Sequence, residues 1–497
     1  MIATLLMLLL APAAPAGAQA TSAGARLTAA DSALVGRILL AEDRRDSLDA
    51  SLSEGAQHAD PRVRRIAVRA LGRIRDDRFA ARAELEPLPA PLHWPETPAQ
   101  RRWRALAEVS TNCAALRAAL LDRDWDVRLR AADLAGVPLR RRVQGAAATA
   151  TAPPPPCAED NEILRTLRAW IDALPSDASS RRMGFVSWHA AAHGLVALAH
   201  LAPDEARPRV ASLAGHARWQ VREYAARAAA VVGDTARLRM LARDRNDNVK
   251  QTAIVGLSAL TGHEDDVIYL EALASDGAQA VRAAANALKG SPRPDAPLAA
   301  MRTFERFVER ANASERDARL ALLEAAGRPA SADRPPPLLH ELPPHAVALA
   351  LGADIRLKVN MAPSSGGGSF VVRLRGDVAP MTAARVLALV NKGYYNRLDW
   401  QRVEPDFVIQ GGSPGSNEYV GAARFFRDEL GTVPHARGTV GMSTRGHDTG
   451  DGQWFVNLRD NLRLGRDYTV FAEVVERIET VDGVMEGDVI ESIVRVR

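Results

Sequence analysis

The sequence predicts a multidomain chain, an N-terminal all-α solenoid of helical repeats followed by a C-terminal mainly-β domain, and three observations predict it. The 497 residues exceed what a single core ordinarily organises. A helical motif recurs through residues 27–327. After the proline-rich stretch that ends near residue 345, the apolar period drops from roughly 3.6 to roughly 2.

The repeat is legible in five copies. Asp60-Pro61-Arg62-Val63 leads to Ala67 and Ala70, Asp124-Trp125-Asp126-Val127 to Ala131 and Leu134, and Arg218-Trp219-Gln220-Val221 to Ala225 and Ala228. Asn246-Asp247-Asn248-Val249 leads to Ala253 and Gly256, and Val281 to Ala285 and Leu288. The valines are separated by multiples of about 31 residues, a helical-solenoid period. Within each copy the apolar positions form one helical stripe, and their small size lets neighbouring helices approach closely. An Asp or Asn just before the valine suits the N-cap. The array resembles the short HEAT-like repeats of bacterial scaffold proteins.

Two proline-rich stretches interrupt helix, Ala146 to Pro156 and Arg328 to Pro344, because proline lacks the N–H and clashes with the preceding turn. The first reads as a surface loop and the second as a semi-rigid linker. The expected boundaries are a signal peptide over 1–20, helical repeats over 21–327, linker over 328–345 and the β domain over 346–497. The apolar Met1 to Leu10 and the small-residue site Ala18-Gln19-Ala20 carry the signal-peptide expectation, hence export to a periplasm or medium. An uncleaved N-terminal anchor is the alternative. The run is shorter than the roughly 20 residues of a membrane span, so no stable span is expected.

Composition narrows the partners. Positive charge is almost entirely arginine, interspersed with acids to a net of +4, so no one-sign stripe marks a nucleic-acid site. Cys113 and Cys157 are compatible with a disulfide in an exported protein or with two reduced structural thiols. Two cysteines alone make no zinc site.

In the β domain, Ile355, Leu357, Val359 and Met361 alternate with polar residues, and Phe370 to Leu374 forms a second run across the turn Ser364 to Ser369. Thr382 to Val390 reads as a helix. Three ordered blocks then carry a resemblance. The first is Trp400-Gln401-Arg402-Val403 with Asp406-Phe407-Val408-Ile409-Gln410-Gly411-Gly412; the second is Arg437-Gly438-Thr439-Val440-Gly441-Met442 with Gln453-Trp454-Phe455. Asp467-Tyr468-Thr469-Val470-Phe471-Ala472 is the third. From about Asp354 to Arg497 the chain resembles the cyclophilin-type peptidyl-prolyl cis/trans isomerases, which implies a closed eight-stranded barrel with flanking helices.

The resemblance also implies a chemistry without nucleophile, metal or cofactor, since only rotation about a peptide bond is catalysed. It places Arg402 at the substrate amide, with Gln410 orienting the substrate or Arg402. Phe407, Met442, Phe455 and one of Leu462 or Leu464 hold the proline ring, and Gln453 lines the groove. Trp400-Gln401 stands where the family has Phe-His, Ser443-Thr444 where Ala-Asn is common, Trp454 for the first Phe of a pair, and Tyr468 where many members have His. Tyr468 retains a hydrogen-bond donor. Ser443 and Thr444 bear on which residues are accepted beside proline. The expected partners are proline-containing peptides or unfolded clients in the groove and a protein on the repeats. The alternative is a catalytically weak domain that binds proline peptides as a scaffold.

Other signals read as structural. Gly411-Gly412-Ser413-Pro414-Gly415 fits a nucleophile-elbow pattern but lacks its strand-turn-helix setting. His189 and His193 lack the glutamate of a zinc-protease helix and read as surface or repeat-packing residues. Asp448 and Asp451 read as a polar turn rather than a calcium loop.

Overall fold

The computed structural model describes residues 27–75, 88–136, 155–174 and 188–496. The expected signal peptide, and most of the first proline-rich stretch, lie outside these residues.

The first part is helical. Helices α1 (Ala29–Arg44), α2 (Ala50–Ala56) and α3 (Pro61–Arg75) pack on one another. Then come α4 (Pro98–Ala105), α5 (Cys113–Ala119), α6 (Trp125–Ala135), α7 (Asn161–Asp172), α8 (Trp188–Leu201), α9 (Pro203–Leu213) and α10 (Trp219–Val232). The series continues through α11 (Thr235–Leu241), α12 (Asp247–Thr261), α13 (Asp266–Ala272), α14 (Ala278–Ala287), α15 (Ala296–Glu309) and α16 (Arg316–Ala325). From α6 onward the even-numbered helices form a row in which each touches the next, with the odd-numbered helices packed alongside. The five anchor valines, Val63, Val127, Val221, Val249 and Val281, are buried in the first turns of α3, α6, α10, α12 and α14. Cys113 and Cys157 form a disulfide across this region.

The caps differ from the expectation. Asp60, Asp124 and Asn246 stand three positions before their valines, and Asn246 accepts hydrogen bonds from the N–H groups of Asn248 and Val249. The reason is geometric: only the residue ahead of the helix has the extended backbone that turns its side chain onto the orphan N–H groups. Asn248, beside the valine, already lies in the first turn, and its side chain is free for another use.

The second part comprises α17 (Ala346–Ala350), β1 (Arg356–Met361), β2 (Ser369–Leu374), α18 (Pro380–Asn391), β3 (Arg402–Val403), β4 (Val408–Gly411), β5 (Thr439–Met442), β6 (Trp454–Asn457), β7 (Val470–Glu476), α19 (Ile478–Asp482) and β8 (Ile490–Val496). The predicted hairpin is β1 paired antiparallel with β2, and its apolar residues face inward. The predicted helix is α18, extended backward to Pro380, whose missing N–H costs nothing in the first turn. All eight strands form one sheet in the order β3-β4-β6-β5-β7-β2-β1-β8. The edges β3 and β8 share no ladder. The segment before β3 is stitched to the start of β8 by Trp400 N–H to Asp488 O at 2.9 Å and Ile490 N–H to Leu398 O at 2.8 Å.

Among the described residues, two apolar clusters organise the protein. One runs from Leu106 to Ala325 through the helical row. The other joins α1 and α3 to the strands and α18. Buried charge reinforces that second junction: Glu42 of α1 receives Arg69 at 3.0 Å and Arg73 at 2.7 Å, and Arg73 also donates to Leu430 O at 2.8 Å. The proline-rich stretch lies against both parts, with His340 on Asp43 at 2.7 Å and Leu339 N–H on Phe425 O at 2.8 Å.

Candidate active site

The sheet register assembles the site. Arg402 of β3 pairs with Gln410 of β4, Gln410 with Phe455 of β6, and Phe455 with Gly441 of β5. Residues directly opposite on adjacent strands share a face, so a single rung carries an always-charged donor, an amide, an aromatic ring and a glycine. The glycine is needed there because a Cβ on Gly441 would sit 2.3 Å from Phe455 Cζ.

This rung forms part of a cavity of about 170 Å³, whose walls include Phe407, Val408, Ser443, Thr444, Leu464 and Tyr468. The Arg402 side chain is 37 % exposed, with its Nη1 3.3 Å from Glu418 Oε1 and its guanidinium carbon 5.7 Å from the centre of the Phe407 ring. Arg463 covers the same ring at 4.6 Å.

Several predicted residues take other places. Met442 is buried in β5 opposite Trp454 and packs beneath the groove instead of lining it, because the strand alternation that turns Gly441 to the cavity turns its neighbour inward. Of the two leucines, Leu464 lines the cavity and Leu462 is 70 % exposed. Gln453 is buried and acts through its neighbours. Its Nε2 donates to Val420 O at 2.9 Å and Glu418 O at 3.3 Å. A carbonyl only accepts, so Gln453 Oε1 must be the acceptor for Gln401 Nε2 at 2.9 Å and Gln410 Nε2 at 3.1 Å. Gln410 Nε2 also reaches Ser443 Oγ at 2.9 Å. The relay leaves Gln401 Oε1 buried without a hydrogen-bond partner.

A second polar relay supports the aromatic wall from behind. Asn461 Nδ2 donates to Phe407 O at 2.9 Å and to Asn457 Oδ1 at 2.8 Å, which turns Asn457 Nδ2 toward His435 Nδ1 at 3.2 Å. His435 Nε2 donates to Tyr468 O at 3.1 Å, and its ring stacks on Phe455 at 5.7 Å. Burial pushes the imidazole down to about 4, so it is neutral at physiological pH.

Sequence reasoning missed Val408, Glu418, Arg445 and this relay. Val408 sits beside Phe407 in the quoted block, a signal available but unused. Glu418 and Arg445 lie on irregular loops where periodicity says nothing.

The helical part braces one wall. Asn248 of α12 donates to Gly415 O at 3.0 Å, and Arg282 of α14 stacks on Tyr419 at 4.0 Å. Arg445 pairs with Asp317 of α16 at 2.8 Å.

The structural readings of the remaining motifs agree with their surroundings. Ser413 Oγ is spent on Val420 O at 2.6 Å. Asp448 receives Arg45 at 2.9 Å, and Asp451 is buried beside Arg445 at 3.6 Å. His193 donates from Nδ1 to Asp133 at 2.7 Å, while His189 Nε2 donates to Glu486 O at 2.7 Å. Among the described residues no group of three or more His, Cys, Asp or Glu suits a metal, and no helix is long and apolar enough to cross a membrane.

Residues 358–496 match the family model for cyclophilin type peptidyl-prolyl cis-trans isomerase/CLD. A Helicobacter pylori (strain J99) peptidyl-prolyl cis-trans isomerase is 33% identical over 131 residues, which are 26% of this chain and 81% of that protein. The chain belongs to the cyclophilin-type peptidyl-prolyl cis-trans isomerases. Peptidyl-prolyl cis-trans isomerase B of Bacillus subtilis is 32% identical over 129 residues, 26% of this chain and 90% of that protein. A crystal structure of a Cryptosporidium parvum cyclophilin type isomerase aligns at 21% identity and TM-score 0.27, covering 29% of this chain and 99% of that one. The cyclophilin region thus accounts for the strands and α18, and isomerase activity resides there. The match leaves the helical row outside the family.

Proposed function

We propose that this cyclophilin assists the folding of exported proteins, isomerising X–Pro bonds at the Arg402 rung while the helical array holds a client or an assembly factor. The observation that carries the catalytic part is the alignment of Arg402, Gln410 and Phe455 on one face. The barrier to rotation, about 18–20 kcal/mol, comes from amide resonance. As the bond twists, the prolyl nitrogen loses conjugation and becomes a better acceptor. Arg402, a fixed fork of donors, then bonds the twisted substrate more strongly than either planar form, and that difference is catalysis. Phe407, Phe455 and Leu464 hold the proline ring, Ser443 and Thr444 meet the residue before it, and Gln410 and Tyr468 orient the backbone.

The helical row is read as HEAT-like repeats over 21–327, with 328–345 as the connector. The strand region over 346–497 is read as a barrel closed through the hydrogen bonds between residues 397–400 and 487–490. Export is supported by the Cys113–Cys157 disulfide, since such bonds persist in oxidising compartments, and by the signal-like residues 1–20.

A protease-coupled prolyl-tetrapeptide assay tests the catalytic assignment. Arg402→Ala is expected to lower kcat/KM by about 100-fold or more, equivalent to about 3 kcal/mol of lost transition-state stabilisation. Arg402→Lys, which keeps the charge and loses the fork, recovers only part. An unchanged rate in Arg402→Ala overturns the assignment.

A further inference from the structure

We infer that the cleft between the helical row and the segments around Gln401 and Glu486 is a second substrate groove, which takes the extended polypeptide flanking the X–Pro bond. The inference rests on the reading of the helical array as a client-holding surface, and it names where on that array the client lies.

Continuity comes first. Arg402 belongs to the wall of the isomerase cavity and also to the wall of this cleft, whose volume is about 370 Å³. A chain held at the cavity therefore meets the cleft at Arg402. A further cleft of about 440 Å³ continues beyond it and shares Trp103, Asp126, Val403, Pro405 and Met485 with it. Each lies within the roughly 300–1,000 Å³ typical of binding sites.

The chemistry of the lining suits a polypeptide. Trp103, Leu129, Val196, Val403, Pro405 and Met485 supply apolar surface for side chains. Gln401, held by the Gln453 relay, adds a polar side chain to the lining. Arginines and acids both line the cleft, Arg130 and Arg227 against Asp133 and Glu404 among them. That mixture is unsuited to a polyanion and compatible with a client of mixed sequence.

The face belongs to this chain's own architecture, since α6, α8 and α10 lie outside the residues matched to the cyclophilin family. It makes the enzyme a reader of chain length. A short peptide occupies the catalytic cavity alone, and a longer one gains the cleft as well.

The test uses the full chain, a prolyl tetrapeptide, and the same tetrapeptide extended by eight residues of mixed apolar and polar sequence on its N-terminal or its C-terminal side. Affinities are read by fluorescence anisotropy and turnover by NMR exchange. One of the extended peptides is expected to bind at least tenfold more tightly than the tetrapeptide. Val196→Trp, which fills the cleft, and Trp103→Ala, which strips its wall, are each expected to abolish that advantage while leaving tetrapeptide affinity and turnover unchanged. Helical circular dichroism and a thermal melt matching the wild type report that each variant has folded, since turnover alone reports only the cyclophilin region. Equal affinity of short and extended peptides for the wild type overturns the inference, as does an advantage that survives both substitutions. Self-association lost in Val196→Trp, with no effect on peptides, would instead put a second copy in the cleft and overturn it equally. The catalytic assignment is judged separately, by tetrapeptide turnover in Arg402→Ala, so either can fail alone.

Discussion

Replacing His435 with Gln tests whether a neutral imidazole supports the aromatic wall of the groove. In the wild type, Nε2–H donates to Tyr468 O and bare Nδ1 accepts from Asn457 Nδ2. A second proton on Nδ1 would meet another N–H donor in a buried site, and burial accordingly pushes the group from 6.5 down to about 4. A folded-state pKa below the unfolded value means that the unfolded chain binds the proton first. The stabilisation is complete above pH 6.5 and is lost as pH falls through about 4. By linkage the loss is about 2 kcal/mol at pH 5 and about 3 kcal/mol at pH 4. Glutamine offers one donor and one acceptor and does not titrate. Other groups titrate in the same range with the opposite sign, since burial pushes Asp399, Asp428 and Asp451 up to about 6. The informative quantity is therefore the difference between wild type and His435→Gln, from urea unfolding at pH 7.5, 5 and 4. The variant should gain on the wild type by those amounts as pH falls. A difference constant to within about 0.5 kcal/mol, or a directly titrated His435 above about 6 by NMR, would refute the buried-neutral assignment.

Asp399→Asn is expected to show the reverse slope. The folded carboxyl holds its proton more tightly than the unfolded one, so wild-type stability present in acid is lost as pH rises through about 6. The variant should gain about 2 kcal/mol on the wild type between pH 4 and pH 8, and parallel stability curves would sink the idea. Gly441→Ala forces the Phe455 ring from its seat, costing about 1–3 kcal/mol by overpacking. It is expected to lower kcat/KM for a prolyl tetrapeptide by about tenfold through misplaced substrate. An unaltered kcat/KM would show that Phe455 is not a wall of the proline site.

Much of the site was legible because β-strands alternate. Once Arg402, Phe407, Gln410 and Phe455 were placed by block spacing, a shared face followed from pairing of short strands. The same alternation excluded Met442, yet its spacing alone did not say so, because a buried neighbour and a groove residue look identical in an apolar run. Leu462 and Leu464 were indistinguishable for a related reason: they occupy a short 3₁₀ turn, where the side that faces the cavity is set by the surrounding loop. His435, Asn457 and Asn461 were invisible as a unit. Each is an ordinary polar residue, and only burial together makes their donors and acceptors interlock.

The periodicities and caps of the helices, the β1–β2 hairpin, the family and the residues of the catalytic blocks were encoded in local sequence. Such features depend on neighbours a few residues away, through backbone sterics and side-chain period. Tertiary structure alone decided that α1 and α3 share a core with the strands, that Cys113 meets Cys157, and that Gln401 keeps an unpaired acceptor. It also decided that the groove rim leans on α12 and α14. Asn248 and Gly415 lie 167 residues apart, and nothing in the stretch around either announces the other. Contacts of that range form only when whole surfaces dock, and docking is selected by the sum of burial and hydrogen bonding over the entire interface.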